Sequence, residues 1–254
     1  AALEVNHWCH EHVNYQPADA RTSSPLATIR TSHGRCGEES TLTVTAMRAV
    51  GIPARQCYTP RWAHCDDNHA WVEVWVNGKW YFLGACEPDP ALNMGWFAVP
   101  ATRTMMVHTN VFGKYDGTEE VNATSPYFSR INLISNFTDT THLTILVVDK
   151  HNKPVENATV KFKLYNYAEY YTLASKQTDS HGLATLTTGK GDLLIWANKG
   201  NDYKYGQIDA RTQHSITLCL DNKQQGNEYT EQFEMTPPKA LPVKYHVTPE
   251  QTAV

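Results

Sequence analysis

Between residues 3 and 15, Leu3, Val5, Trp8, Cys9, His12 and Val13 recur at spacings near 3.6, which predicts an amphipathic helix. A polar connection carrying Pro17, Ser23, Ser24 and Pro25 follows. A second helix is predicted over 38–50, with Leu42, Met47 and Val50 facing inward and Gly51-Ile52-Pro53 ending it. The period then changes to two. Residues 54–62 and 69–76 read as strands, and Asn77-Gly78 is the preferred two-residue hairpin turn into a strand over 79–83. Residues 98–140 read as loops with one short apolar strand at 104–107. From residue 141 the pattern is β throughout, with strands predicted at 143–148, 159–165, 171–176, 183–186, 193–198 and 215–220.

This order predicts an α+β domain over residues 1–125, a connection over 126–140 and an all-β, immunoglobulin-like sandwich over 141–221. Residues 222–254 are polar, contain Pro237, Pro238, Pro242 and Pro249, and read as a linker toward further domains of a longer parent chain. The 254 residues carry 22 Lys and Arg against 26 Asp and Glu, a net charge of −4 that argues against a nucleic-acid partner. With 41% hydrophobic and 19% charged residues the composition is that of a folded globular chain. No stretch approaches the roughly 20 apolar residues of a membrane-spanning helix. The six cysteines form no CxxC pair and no disulfide framework for a chain of this size.

The window Ser32-His33-Gly34-Arg35-Cys36-Gly37-Glu38-Glu39-Ser40 sets a cysteine between glycines at a helix start, where unpaired backbone N–H groups and the helix dipole favour thiolate over thiol. Asp67-Asn68-His69-Ala70-Trp71-Val72-Glu73 puts a histidine at the mouth of a strand, within reach of such a helix start. Trp80 to Asp89 lies on the next strand and ends in carboxylates able to fix the imidazole tautomer. Asn68 and Trp71 are candidates to line the cleft. His64, Cys65, Asp66, Asp67 and His69 are metal-ligand types, but neighbours in sequence cannot all face one ion, and neither metal nor cofactor is expected.

The ordered Cys, His and acid, with Gly-Arg-Cys-Gly-Glu-Glu-Ser and Asn-His-Ala-Trp-Val-Glu-Val, resemble the transglutaminase-like superfamily over about residues 1–97. The resemblance implies a papain-like core, with Cys36 as nucleophile, His69 as base and acid, and an acidic residue orienting the imidazole. The family carries Asp four residues after the last strand's tryptophan, where this chain has Gly84; Glu87 takes that role here, with Asp89 in reserve. The amide of Cys36 and the indole of Trp8 are the implied oxyanion donors. Arg35 and Gly37, where cross-linking members have Gln and Trp, argue against protein cross-linking. The implied activity is hydrolysis or acyl transfer at amide bonds of a peptide, glycopeptide or peptidoglycan peptide. The alternative is an inactive binding or scaffolding module, in contact with carbohydrate through its many aromatics. Residues 140–221 resemble carboxypeptidase-regulatory-like sandwiches, which implies a bacterial protein that is secreted, periplasmic or held at the cell envelope.

Overall fold

The computed structural model describes residues 1–17, 22–223 and 230–244. Its contacts divide the chain into two compact units. The first holds residues 1–58, 68–101 and the described part of 241–254; the second holds 59–67 and 102–240. Residues 102–125, expected with the α+β domain, thus belong to the second unit.

In the first unit, α1 (Ala2–His12) buries Ala2, Asn6 and Cys9, one face at helical spacing. Strand β1 (Asn14–Tyr15) pairs in parallel with β2 (His33–Gly34). Between them lies α2 (Pro25–Thr31), a helix where the polar connection was expected. Ser24 accepts the Ala27 N–H at 3.3 Å as its N-cap, Pro25 stands at its first turn, and Ser32 ends it in the left-handed region at φ 56°. Helix α3 (Cys36–Ala49) is followed by Gly51 at φ 82°, with the Ile52 N–H returning to the Met47 carbonyl.

Strands β3 (Ala54–Thr59), β4 (His69–Val76) and β5 (Lys79–Leu83) lie in the order β5-β4-β3. Asn77 and Gly78 at φ 50° and 80° make the hairpin turn, setting Trp75 opposite Trp80 and Val72 opposite Leu83. α3 packs on β4, and Val44, Met47, Ala54, Val72, Val74 and Leu83 close the core between helix and sheet.

α4 (Ala98–Ala101) closes this stretch of the first unit. In the second unit, β6 (His108–Phe112), β7 (Val121–Thr124) and β8 (Phe128–Asn132) form antiparallel pairs where loops were expected. Residues 104–107 are not a strand: Met105, Met106 and Val107 are fully buried while Thr104 turns its hydroxyl to the Met106 carbonyl.

The remainder comprises β9 (Thr140–Asp149), β10 (Thr159–Asn166), β11 (Glu169–Gln177), β12 (Leu183–Gly189), β13 (Asp192–Lys199), β14 (Asp202–Asp209), β15 (Ser215–Leu220) and β16 (Asn222–Lys223). They form sheets of order β11-β10-β13-β14-β16 and β12-β9-β15. Leu143, Ile145, Phe162, Leu186, Ile195 and Leu218, drawn from both sheets, share one core. Residues expected in a free linker lie against this unit: the Asp192 N–H donates to the Thr236 carbonyl at 2.9 Å, the Thr236 N–H donates to the Asp192 carboxylate at 3.0 Å, and Tyr205 donates to Glu231 at 2.6 Å. Among the described residues no helix is long and apolar enough to cross a membrane.

Candidate active site

Cys36 is the first residue of α3 and is partly exposed. The turn that carries it is tied down on both sides. Glu38 accepts the N–H groups of Arg35 and Ser23 at 3.2 Å each, while Ser40 and Thr41 donate to the carbonyls of Cys36 and Gly37 at 2.5 and 2.7 Å. Gln56 of β3 reaches across to Ser40 Oγ at 2.8 Å, fixing the helix start to the sheet. A Cβ at Gly37 would make only ordinary contacts, with the Thr22 hydroxyl at 3.4 Å and Arg35 Nε at 3.9 Å, whereas one at Gly34 would meet Glu38 Cβ at 2.8 Å.

His69 opens β4 and is 7% exposed. Three rings enclose its imidazole: Trp96 at 4.7 Å between centroids, Phe97 at 5.0 Å and Trp71 at 5.9 Å. Burial in that apolar shell lowers its pKa to about 4, so the ring is neutral at pH 7 and able to accept a proton.

Glu87 lies beyond β5, in a turn held by α1. Asn6, 1% exposed, donates to the carbonyls of Gly84 at 2.9 Å and Glu87 at 3.0 Å and accepts the Cys86 N–H at 2.9 Å. These bonds offset the left-handed backbone of Cys86, φ 57°. The Glu87 carboxylate folds back over Gly84: a Cβ there would overlap Oε2 and stand 3.0 Å from Glu87 Cβ. Oε1 accepts the Trp96 indole N–H at 2.9 Å, while Oε2 is buried without a hydrogen-bond partner among the described residues. Burial first, then Asp89, raises the Glu87 pKa, with the Trp96 bond opposing. One indole therefore touches both Glu87 and His69.

Asp89 is half-buried and its pKa is raised by burial; Asn68 is exposed; Trp71 is fully buried and stacked on Phe97 at 5.2 Å. Trp8 lines a shallow groove of about 400 Å³ with Val5, Ala46, Ala49 and Val50. Ala46 lies ten residues along α3 from Cys36, about 15 Å at 1.5 Å per residue, so the structure does not bring this indole to the thiol. Sequence reasoning singled out neither Asn6 nor Trp96, whose parts here come from contacts 78 to 81 and 9 residues away in the chain.

Glu39, 4% exposed in the first turn of α3, has its pKa pushed up to about 8 by burial, then by Glu87 and Glu38. The unfolded chain ionises this group near its ordinary 4.5, so its contribution to stability is complete below that pH and is lost as pH rises toward 8. Urea unfolding at pH 5, 6.5 and 8 is expected to show falling stability, with a shallower slope for Glu39→Gln. Equal slopes would remove the assignment.

Residues 1–85 match the Transglutaminase-like superfamily core. Over 69 residues the chain is 38% identical to the peptide-N(4)-(N-acetyl-beta-glucosaminyl)asparagine amidase of Eremothecium gossypii, a stretch making up 26% of this chain and 18% of the amidase. The chain thus spans less than a fifth of that relative's length. Among solved structures it is similar to a candidate cysteine protease from Cytophaga hutchinsonii, at 26% identity over 35% of this chain and 32% of that one, TM-score 0.31. A streptococcal ancillary pilin is similar at 8% identity over 65% and 61% of the two chains, TM-score 0.27. The match to the transglutaminase-like superfamily covers residues 1–85 of the 254.

Proposed function

We propose that this domain is a cysteine hydrolase of amide bonds in glycopeptides or peptides, with Cys36 as nucleophile, His69 as base and acid, and Glu87 as the carboxylate that orients the imidazole. The observation carrying the reading is the position of Glu87: its carboxylate fills the space beside Gly84, where the superfamily has an aspartate, and shares Trp96 with His69. The glycopeptide class is suggested by the amidase relative. The two-sheet unit is read as an accessory β-sandwich without chemistry of its own.

At neutral pH the imidazole is neutral, because burial disfavours the imidazolium. His69 takes the Cys36 proton as sulfur attacks the carbonyl carbon; a C–S bond forms and the oxygen takes the negative charge. The Cys36 amide, at the positive end of α3, is the candidate donor to that oxygen. The C–N bond then breaks and the amine leaves with the imidazolium proton. Water, losing its proton to His69, hydrolyses the thioester and restores the thiol.

Iodoacetamide labelling with quantification at each cysteine tests this reading. Cys65 is exposed and its pKa is raised by burial and Asp67, so it serves as the internal standard. Cys36 is expected to react at least tenfold faster than Cys65 at pH 7, and His69→Ala to erase the difference. Labelling of Cys36 no faster than Cys65 would favour the second reading, an inactive scaffold, for which the glycine at position 84 is the supporting feature.

A further inference from the structure

We infer that Trp96 is a positioning residue for the Cys36–His69 reaction: its indole N–H holds the Glu87 carboxylate while its ring covers the imidazole of His69. The inference rests on the reading just given and adds a residue to it. Trp96 is 63% exposed, so it does not fill a core, yet its single polar atom is directed not to water but to Glu87 Oε1 at 2.9 Å. The same ring lies 4.7 Å from the imidazole and meets Phe97 edge-on at 6.0 Å. Phe97 is fully buried and cannot give way, and a Cβ at Gly95 would come within 2.7 Å of it. A glycine there lets the backbone pass close to Phe97, with the next side chain laid over His69.

Two effects separate by chemistry. The ring excludes water from one side of the imidazole, which favours the neutral base. The N–H fixes Oε1 of the carboxylate, whose Oε2 is buried without a hydrogen-bond partner among the described residues. The titratable groups on the elements packed around the start of β4 are Cys36, Glu38, Glu39 and Arg48 of α3, Cys57 and Tyr58 of β3, and Glu87 and Asp89 after β5, beside the Arg55–Glu73 pair. Burial is the cause of the lowered His69 pKa, so removing the cover moves its titration upward.

The test compares Trp96→Phe and Trp96→Ala in the full chain, with His69 ring titration by NMR and Cys36 alkylation by iodoacetamide as readouts. Trp96→Phe keeps a cover and loses the N–H: the His69 midpoint is expected to stay within a few tenths of a pH unit while Cys36 alkylation at pH 7 slows about tenfold. Trp96→Ala loses both, and the midpoint is expected to rise by at least one unit toward the ordinary 6.5. An unmoved midpoint in Trp96→Ala, or wild-type alkylation in Trp96→Phe, overturns the inference. Should Trp96→Ala fail to fold, Trp96→Leu supplies the uncovered ring. If the unaltered protein shows no preference for Cys36 over Cys65, the hydrolase reading itself fails, whereas a preference that neither variant changes sinks the role of Trp96 alone.

Discussion

Cys36→Ala is expected to reduce hydrolysis of N-linked glycopeptides, followed by mass spectrometry, by 10⁴-fold or more, because no other group on the proposed path can form the thioester. Stability should hardly respond. The sulfur sits partly exposed at the first position of α3, and Ala is the better helix former. The backbone that shapes this turn is held by Glu38, Ser40, Thr41 and Gln56, all present in the variant. The melting temperature is therefore expected to stay within about 2 °C, an amount matching less than 1 kcal/mol for a chain of this size. Full activity in Cys36→Ala would remove the nucleophile assignment. A large loss of both activity and melting temperature would instead show that the sulfur is structural. His69→Ala should parallel the activity loss, since a thiol without its base meets an amide only as its small ionised fraction.

The parts of this architecture set by local chemistry were legible in the sequence. Helix α3 begins at Cys36 and β4 at His69, where glycines and the change of period placed a helix start and a strand start. Asn77-Gly78 fixed its hairpin because both residues tolerate positive φ. The failures have physical causes. Ser24-Pro25 carries the composition of a loop, yet serine followed by proline is also how a helix begins, and α2 does so. Strand β14 shows intermediate exposure at six successive positions, so it lacks the alternation that marks a half-buried strand. Met105 to Val107 are apolar because they are buried, and burial alone does not make a strand. At the site, Asn6 and Trp96 carry no signal in the sequence, because a side chain that braces a distant turn has no periodicity. The close approach of Glu87 to Gly84 could be anticipated only in part, from the missing aspartate.

Arg55→Ala is expected to be among the most destabilising single changes in the first unit. Arg55 Nε lies 2.7 Å from Glu73 Oε2, with the two side chains 11% and 3% exposed, and the guanidinium sits 4.0 Å over the ring of Trp80. Truncating the arginine strips Glu73 of this cation in the middle of β4 and removes the cover from Trp80. Breaking a buried pair from one side costs about 3–5 kcal/mol, since the remaining charge stays desolvated. That corresponds to a fall in melting temperature on the order of 10 °C. Arg55→Lys should recover only part of the loss, because an ammonium neither matches the carboxylate with a planar fork nor stacks on the indole. The double variant Arg55→Met with Glu73→Leu should recover most of it, as it removes both charges together and keeps apolar volume against Trp80. The three variants together distinguish an unpaired charge from lost packing: if the double variant is as unstable as Arg55→Ala, packing on Trp80 is what Arg55 supplies. A cost below 1 kcal/mol for Arg55→Ala would mean that Glu73 reaches water by local movement of β4, which also carries His69.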